Sequence, residues 1–356
     1  MNRLLAAVAA LFIIAAAWAV SSAPQTVGPL RIDVREKNPW NHLELKNRPA
    51  NFQFVIVSDR TGGHRPGVFE DAVSRINLLQ PEFVMSVGDL VEGGITDRGR
   101  LDEQWQEFNG FIKKLEMPFF YVPGNHDLSN KAMIPVWQEQ FDRTYYHFVY
   151  HDVLFIALNT EDPPGHSVAI SDKANNVIQV VKPGKIGDEQ LLWLNQVLKQ
   201  NAGVRWTIIF MHKPMWAYGD KTNWADVEAL LGDRKRTVFA GHEHRYHRVK
   251  VGEHEYYTLA TTGGASGLRG PAAGEFDHLA WVTMTTDGPL LANLMLEGIW
   301  TNDPVAEAPL RAADLETRDE MLARFAAEKA AKKAADDKAK AKKAEEKAAQ
   351  NQLQKN

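Results

Sequence analysis

Short apolar segments rich in β-branched and aromatic residues alternate with segments of helical periodicity from Phe52 to about Trp300. This alternation is typical of layered α/β proteins, in which helices cover the faces of a sheet. The predicted strands are Phe52–Ser58, Phe83–Val87, Phe119–Val122, Val153–Asn159, Trp206–Met211, Thr237–Ala240, Tyr256–Ala260, Leu279–Thr285 and Leu291–Leu296. The predicted helices are Val68–Leu79, Asp102–Leu115, Ile134–Phe141, Asp188–Gln200 and Trp224–Leu231. The pattern predicts one large α/β domain over residues 51–305.

Three other segments give weaker signals. Residues 24–50 form a mixed, polar N-terminal extension in which an apolar alternation at Ile32 indicates one edge strand. A Tyr-rich segment bounded by His147 and His151 is a candidate hairpin. The segment Glu161–Ile186 contains three prolines and has no clear period, so we expect a functional or mobile loop there.

The N-terminus has the order of a signal peptide. Residues 1–3 are a short positive start, Leu4–Val20 is an unbroken apolar run of seventeen residues, and small residues follow up to Ala23. We therefore predict a signal peptide over residues 1–23 and export to the periplasm or the outside of the cell. Because the apolar run is nearly as long as a membrane span, an uncleaved segment would instead anchor the chain in a membrane.

The C-terminal segment 306–356 differs in composition from the domain. It is rich in Ala, Lys and Glu, and in residues 328–356 nine Lys stand against five Asp and Glu. After Phe325 only Leu353 could contribute to a hydrophobic seam, so we expect a solvated helical or disordered tail. If the tail binds a partner, its charge indicates an anionic surface such as membrane lipid or cell-wall polymer.

Charge and cysteine content exclude several classes of function. The formal net charge is −4, so no global basic field attracts nucleic acid, and no basic groove with interleaved aromatic residues is evident in the sequence. The chain contains no Cys, which excludes disulfides, a thiolate nucleophile and cysteine-ligated metals. Any metal ion must therefore be bound by His, Asn and carboxylate side chains.

Five short polar segments concentrate the His, Asn and Asp residues, and each follows a predicted strand. They are Asp59–His64, Gly88–Glu92, Gly124–Asp127, Met211–Pro214 and Gly241–His244. Each segment alone is explained by a turn, a helix cap, a satisfied histidine or surface residues. Because ligands bind beyond the carboxyl ends of strands in open α/β sheets, the five segments together favour one shared crevice. Their oxygen and nitrogen donors suit borderline divalent metals.

In this order the segments resemble the signatures of the calcineurin-like metallophosphoesterases, which read D-x-H, G-D-x-x-[DE], G-N-H-[DE], a single H and G-H-x-H. The four intact signatures are Gly88-Asp89-x-x-Glu92, Gly124-Asn125-His126-Asp127, His212 and Gly241-His242-x-His244. The resemblance covers Phe52 to Trp300, and the joint occurrence of the motifs is far more specific than any one of them. It implies an α/β fold with a four-layer α/β/β/α sandwich of two mixed sheets and a dinuclear metal centre at one edge.

The resemblance also implies a role for each matching residue. Asp89 resembles the carboxylate that bridges two divalent metal ions, for which Mn, Fe and Zn are candidates. The remaining ligands would be Asn125, His212 and His242 for one ion and Asp59 and His244 for the other. The Gly-rich run Thr261–Gly267 is expected to let the backbone pass close to this centre.

The implied reaction is the attack of a metal-bridging hydroxide on a small phosphate ester, either a monoester or a diester. His126 resembles the family's general acid, which protonates the leaving oxygen. Asp127 or Glu92 could orient the imidazole of His126, and the sequence does not choose between them. Arg60 could either clamp a phosphoryl oxygen or be a surface residue paired with a carboxylate.

One position departs from the family pattern. The His expected two residues after Asp59 is Thr61, whose neutral hydroxyl is a weak metal ligand. The ion there could bind more loosely, be a harder metal such as Mn²⁺, or take a ligand from elsewhere, for which His64 is the nearest candidate. Loss of this ion would leave a second hypothesis, a catalytically weak or inactive metal-binding or cell-surface module on the same fold.

Overall fold

The structure is a computed structural model that describes residues 31–32, 36–43, 51–166, 168–171 and 177–298. The predicted signal peptide (1–23) and the predicted tail (306–356) lie outside these residues, so the limits of the domain and its export stay predictions. Within the described residues, no helix is both long and apolar enough to cross a membrane.

The described residues form two mixed sheets, a separate hairpin and five α-helices. The strands are β1 (Arg31–Ile32), β2 (Phe52–Val57), β3 (Val84–Ser86), β4 (Phe119–Phe120), β5 (Tyr146–Tyr150), β6 (Val153–Ala157), β7 (Val168–Ser171), β8 (Val177–Val181), β9 (Trp206–Phe210), β10 (Arg236–Ala240), β11 (His247–Val251), β12 (His254–Thr258), β13 (His278–Thr285) and β14 (Gly288–Met295). The helices are α1 (Val68–Leu79), α2 (Arg98–Ile112), α3 (Met133–Phe141), α4 (Asp188–Gln200) and α5 (Trp224–Leu231). Short 3-10 segments are Met215–Lys221, Pro271–Ala273 and Leu296–Gly298.

The two sheets pack face to face across a shared core. The smaller sheet has the order β14-β13-β2-β3-β4, in which β2, β3 and β4 are parallel and β13 and β14 run antiparallel to their neighbours. The larger sheet has the order β1-β5-β6-β9-β10-β12-β11, with β6, β9, β10 and β12 parallel. Strands β7 and β8 pair antiparallel as a separate hairpin.

The alternation of side chains along the strands lets each sheet contribute to two cores. In β6, Val153, Phe155 and Ala157 pack into the core between the sheets, whereas Leu154 and Ile156 face the outer helices. This period of two is expected of a strand that is buried on both faces. The core between the sheets is rich in stacked Phe rings, each of which removes a large apolar area from water.

Helices cover the outer face of each sheet. The helices α1, α2 and α3 pack on the smaller sheet through Ile76, Phe108 and Trp137. The helices α4 and α5 pack on the larger sheet through Leu194 and Val227. Complete burial of one such side chain is worth about 2 kcal/mol. The result is a four-layer α/β/β/α sandwich of two mixed sheets, which confirms the predicted fold class.

Most predicted elements form close to their predicted bounds. The helices α1, α4 and α5 have the bounds that the sequence indicates. The helix α2 instead begins at Arg98, before the predicted start at Asp102, because Asp97 caps it and its carboxylate accepts the Arg100 amide at 2.8 Å. All nine predicted strands have a counterpart in one of the two sheets.

Two regions differ from the prediction. The segment Glu161–Ile186, predicted as a functional or mobile loop, contains the hairpin β7–β8, which that prediction did not include. Its β-branched residues are surrounded by prolines, which outweighed them in the sequence pattern. The edge strand β11 was also missed, because it is exposed and polar and lacks the alternation of a buried strand. It pairs with β12, where Arg248 lies 2.7 Å from Glu255.

The five polar segments meet at one edge of the sandwich. Three of them follow β2, β3 and β4 of the smaller sheet, and two follow β9 and β10 of the larger sheet. Because each set of strands is parallel, its carboxyl ends lie together. The two sets are joined by His212, after β9, whose Nδ1 lies 2.9 Å from the carbonyl oxygen of Val87, after β3.

His278, at the start of β13, makes stability depend on pH. Its side chain is buried, with Nδ1 3.0 Å from Oδ1 of Asn293, and burial lowers the pKa of the imidazole to about 4. An unfolded chain protonates this group near pH 6.5. Because the unfolded state binds the extra proton, stability is lost as the pH falls from about 6.5 to about 4, by on the order of 3 kcal/mol.

We expect His278→Asn to reduce this pH dependence, because it removes the titrating ring and still offers a donor to Asn293. Urea denaturation at several pH values between 6.5 and 4 measures the free energy of unfolding. The matched control is His247→Asn, on the exposed edge strand β11, which should retain the wild-type slope. An unchanged slope in His278→Asn would contradict the assignment of this group.

Candidate metal centre

A first group of ligand atoms surrounds His212. Its Nε2 lies 3.0 Å from Oδ1 of Asn125, 3.2 Å from Oδ1 of Asp89 and 3.2 Å from Nδ1 of His242. The other ring nitrogen, Nδ1, donates to the carbonyl oxygen of Val87. Because a carbonyl only accepts hydrogen bonds, this contact assigns a proton to Nδ1 and leaves Nε2 to face the ligand group.

A second group, formed by Asp59, Asp89 and His244, shares Asp89 with the first. Nε2 of His244 lies 3.4 Å from Oδ1 of Asp59, and Nδ1 donates to the carbonyl oxygen of Ala265 at 2.6 Å. In both the Asp89–His212–His242 set and this second set, the ligand atoms lie within 4.8 Å of one another. The structure therefore brings together all six side chains that the sequence predicts as metal ligands.

The chemistry of these donors fits divalent metal ions. Asp59 and Asp89 are 0% and 2% exposed, and two buried carboxylates this close require positive charge beside them. Burial alone would raise the pKa of Asp59, but the hydrogen bond and charge of His244 lower it. Burial lowers the pKa of His212, but Asp89 outweighs burial and raises it to about 9. Without metal, imidazolium protons thus supply the charge that a cation would supply.

Glycines allow the loops of the centre to approach closely. A Cβ on Gly124 would lie 2.2 Å from Oδ1 of Asp89, and one on Gly241 would lie 2.2 Å from Oδ2 of Asp59. Asp89 and His242 adopt φ values of 57° and 74°, a left-handed backbone conformation that costs about 1 kcal/mol or more for such residues. Backbone strain of this kind is typical of functional sites.

Comparison with known proteins agrees with this geometry. Residues 52–246, more than half of the chain, match the family model described as calcineurin-like phosphoesterase. The chain belongs to this family. Family membership confirms the resemblance to the metallophosphoesterases that the sequence motifs indicate.

The relatives include proteins named as phosphodiesterases. A probable glycerophosphodiester phosphodiesterase from Arcobacter nitrofigilis is 27% identical over 168 residues, which are 47% of this chain and 54% of that protein. A probable cyclic nucleotide phosphodiesterase from Fibrobacter succinogenes is 25% identical over 228 residues, 58% of this chain and 78% of that protein. The chain thus spans about half the length of the first relative. A dimetal phosphatase from Danio rerio shares the fold, with 16% identity, a TM-score of 0.52 and coverage of 69% of this chain and 96% of that one.

His126, which the sequence predicts as the general acid, faces the metal centre. Its Nε2 lies 3.9 Å from Oδ2 of Asp89. The amide of Gly93 donates to Nδ1 at 2.9 Å, which assigns the proton of the neutral ring to Nε2. Burial lowers the pKa of His126, but Glu92, whose Oε2 lies 3.6 Å from Nδ1, and Asp89 outweigh burial and raise it. Nε2 therefore carries a proton in both protonation states.

Asp127 organises the loops and does not orient the imidazole of His126. Its fully buried carboxylate accepts four backbone amides, and burial together with Asp89 raises its pKa to about 7. The four donors are the amides of Asp89, Leu90, Val91 and Gly124, at 2.7–3.1 Å. The sequence did not decide which of the two carboxylates orients His126, and Glu92 is the one that lies beside the ring. The catalytic role predicted for Asp127 is therefore corrected to a structural role.

Arg60 is directed away from the metal centre. Its buried guanidinium donates to the carbonyl oxygen of Leu90 at 3.1 Å, pairs with Glu107 and lies over the rings of Phe108 and Phe111 in α2. The aromatic face of α2 attracts the cation and removes it from the cleft. The prediction of a phosphoryl clamp was therefore wrong, whereas the alternative of a carboxylate pair is correct, with Arg60 buried and Glu107 48% exposed.

His64 belongs to neither ligand group, and the hydroxyl of Thr61 is hydrogen-bonded to the second loop. The fully buried hydroxyl of Thr61 donates to the carbonyl oxygens of Asp89 and Val91, each at 2.9 Å. The side chain of His64 is 37% exposed, with Nδ1 3.7 Å from Oε1 of Glu92. The hydroxyl at the departing position thus ties the first loop to the second and is not directed at a metal ion.

Sequence analysis missed a buried ion pair that holds the Gly-rich run beside the centre. Arg65 pairs with Asp277, and its Nε donates to the carbonyl oxygen of Gly264 at 3.0 Å. The Gly264 amide donates to the carbonyl oxygen of Asp59 at 2.9 Å, and the next carbonyl orients His244. The run passes close to the centre as predicted. No local pattern could reveal the pair, whose members are 212 positions apart.

We expect Arg65→Met to lower the free energy of unfolding by about 3 kcal/mol, because it leaves Asp277, whose side chain is only 14% exposed, without its charged partner. Chemical denaturation measures this loss. The matched control is Arg98→Met. Arg98 also donates two hydrogen bonds to a carboxylate, that of Glu139 at 2.8 Å, but its side chain is 56% exposed. We expect less than about 1 kcal/mol there. Equal losses of unfolding free energy in the two variants would show that the Arg65–Asp277 pair stabilises the fold no more than an exposed pair does.

Proposed function

We propose that this protein hydrolyses phosphodiesters, with two divalent ions held by the six ligand side chains and His126 as general acid. One observation carries the proposal: the two ligand groups share Asp89, and Nε2 of His126 lies 3.9 Å from Oδ2 of that carboxylate. When bound, the ions would supply an activated water and neutralise charge on the phosphoryl group. Family membership and the names of the relatives support the same class of reaction.

The protein orients its ligands in advance. The carbonyl oxygens of Val87 and Ala265 hold His212 and His244 with Nε2 directed inward. Such outer contacts fix the tautomer and the ring orientation of a ligating His. Asp89 also accepts the backbone amide of His126 through Oδ1 at 2.9 Å. The general acid and the shared carboxylate are therefore held in a fixed relative position.

His126 has the contacts that a general acid requires. The nearby carboxylates of Glu92 and Asp89 favour protonation of the ring, and Nε2 is the ring nitrogen that lies towards Asp89, at 3.9 Å from Oδ2. The oxygen that leaves phosphorus gains negative charge and takes up a proton. Donation from Nε2 supplies that proton, and a positioned acid of this kind accelerates reactions by about 10²–10⁴-fold.

The charge around the centre favours diesters over monoesters. Three cationic side chains directly follow predicted ligands in sequence, and each is paired with a carboxylate. The pairs are Arg60–Glu107, Lys213–Glu161 and Arg245–Glu275. A phosphate monoester is largely a dianion at neutral pH, since its second pKa is about 6, whereas a diester is a monoanion. With these cations already neutralised by carboxylates, the diester is the better match.

We also propose that the reaction takes place outside the cytoplasm, because residues 1–23 have the order of a signal peptide. N-terminal sequencing of the mature protein tests this cleavage. The excess of Lys in residues 328–356 makes an anionic surface the partner that we propose for the tail.

Gly93→Ala tests the position of the general acid. An added Cβ would lie 3.0 Å from Cγ and 3.1 Å from Nδ1 of His126, so the ring must shift. We expect kcat for bis(p-nitrophenyl) phosphate to fall by roughly tenfold or more, since small misplacements of catalytic groups are costly. The bound metal content, measured by elemental analysis, should not change. Gly110→Ala in α2 is the control, because a Cβ there meets nothing within 4 Å.

His126→Gln completes this test, with an expected fall in kcat of about 10²–10⁴-fold at unchanged metal content. Loss of an ion in this variant would make His126 a metal ligand and contradict its role as acid. Two bound ions in the wild type, without hydrolysis of any ester, would favour the alternative of an inactive metal-binding module.

The diester preference is tested by comparing bis(p-nitrophenyl) phosphate with p-nitrophenyl phosphate. We expect kcat/KM to be at least about tenfold higher for the diester, a difference of about 1.4 kcal/mol. Glu161→Gln removes the carboxylate 2.6 Å from Nζ of Lys213, so it should move the ratio toward the monoester. Glu253→Gln, at the exposed pair with Lys250, should leave the ratio unchanged. A wild-type preference for the monoester would refute the charge argument.

A further inference from the structure

We propose that the two metal positions load in a fixed order. The first to fill is the His212 position, formed by Asn125, His212 and His242 together with Asp89. The second is the His244 position, formed by Asp59 and His244 together with Asp89. This inference rests on the proposed dinuclear centre and adds an unequal affinity that originates in the departure at residue 61.

The two positions have different numbers of protein ligands within the described residues. Around Nε2 of His212, ligand atoms of Asn125, Asp89 and His242 lie at 3.0–3.2 Å, which gives four donors. The His244 position has three donors. Loss of even an outer partner of a ligand reduces metal affinity by about 10–100-fold. A position that lacks one direct ligand is therefore expected to bind at least about tenfold more weakly.

Thr61 does not supply the missing ligand. Its hydroxyl is directed at the second loop, where it lies 2.9 Å from the carbonyl oxygens of Asp89 and Val91, and its side chain is fully buried. These bonds join the loop that carries Asp59 to the loop that carries Asp89. Turning the hydroxyl toward a metal ion would remove this donor from the Val91 carbonyl, at a cost of about 1–3 kcal/mol for a buried group. The Asp89 carbonyl, in contrast, would keep the amides of Arg60 and Thr61.

The residues after Thr61 do not supply the ligand either. The chain at Gly62 runs directly against His244, because a Cβ there would lie 2.8 Å from its Cε1. His64 lies further along, where its backbone amide donates to Oε1 of Glu92 at 2.8 Å and its ring lies beside the same carboxylate. Glu92 thus holds this part of the loop away from the His244 position.

Asp59 is also a weaker donor than its charge suggests. Oδ1 accepts the His242 amide at 2.9 Å, and Oδ2 accepts the same amide at 3.1 Å and the hydroxyl of Ser58 at 2.6 Å. Both oxygens are therefore partly committed to protein donors. The His244 position combines fewer ligands with a carboxylate that is shared with two hydrogen-bond donors, and both features lower its affinity relative to the His212 position.

The test is a titration of the full-length, chelator-stripped protein with Mn²⁺, in which electron paramagnetic resonance counts the free ion. We expect two ions per chain in two steps, with dissociation constants that differ by at least about tenfold. His244→Ala should remove the weaker step and keep the tighter one within about threefold. His242→Ala should instead remove or weaken the tighter step.

Thr61→Val tests whether the hydroxyl of Thr61 is a metal ligand or only a structural group. Thr61→Ser is the matched control, because it retains the hydroxyl. Both Mn²⁺ steps should remain within about threefold of wild type in each variant, while Thr61→Val alone loses thermal stability. Two steps of equal affinity, loss of the tighter step in His244→Ala, or selective loss of the weaker step in Thr61→Val would each overturn the inference. Absence of any Mn²⁺ binding would overturn the proposed dinuclear function itself.

Discussion

The carboxylate of Asp89 is the interaction on which the rest of the centre depends. It belongs to both ligand groups and is almost completely buried. A buried carboxylate is costly unless hydrogen bonds and positive charge compensate it. Compensation comes from both sheets, through the His126 amide at 2.9 Å on the side of the smaller sheet and Nε2 of His212 at 3.2 Å on the side of the larger sheet. The same charge therefore joins the two sheets at this edge, and a cation bound there would stabilise the fold as well as the reaction.

The backbone of Asp89 is used as fully as its side chain. Its carbonyl oxygen accepts the amides of Arg60 and Thr61 at 3.2 and 3.1 Å, and its own amide donates to Oδ2 of Asp127 at 2.9 Å. These bonds hold a φ of 57° that an Asp residue rarely adopts. The amides around Asp127 also explain why the last residue of the Gly124–Asp127 segment is acidic in this chain. Two carboxylate oxygens can accept four amides, which a hydroxyl or a carboxamide could not do.

Local patterns predicted most elements except β7, β8 and β11, and the family resemblance indicated the members of the centre, but neither predicted the orientation of several side chains. Helical spacing predicted α1 and α4, and the order of the five polar segments predicted that they meet. Arg60 shows the limit, because its direction depends on Glu107 and the ring of Phe108 in α2, more than 45 positions away. Its sequence position beside Asp59 indicated a substrate contact only as long as that distant helix was unknown. The choice between Glu92 and Asp127 likewise required the positions of four amides in two separate loops.

The departure at Thr61 changes how the first two loops are held together. A His there would give one bond to a metal ion, whereas the Thr hydroxyl donates to two carbonyl oxygens of the second loop. Glu92 returns from the second loop and accepts the amides of Gly63 and His64, each at 2.8 Å. The two loops are thus joined by protein bonds that need no ion. Ligands that are already in place lose little conformational freedom on binding, so the affinity lost with one ligand is partly offset by the preorganisation of those that remain.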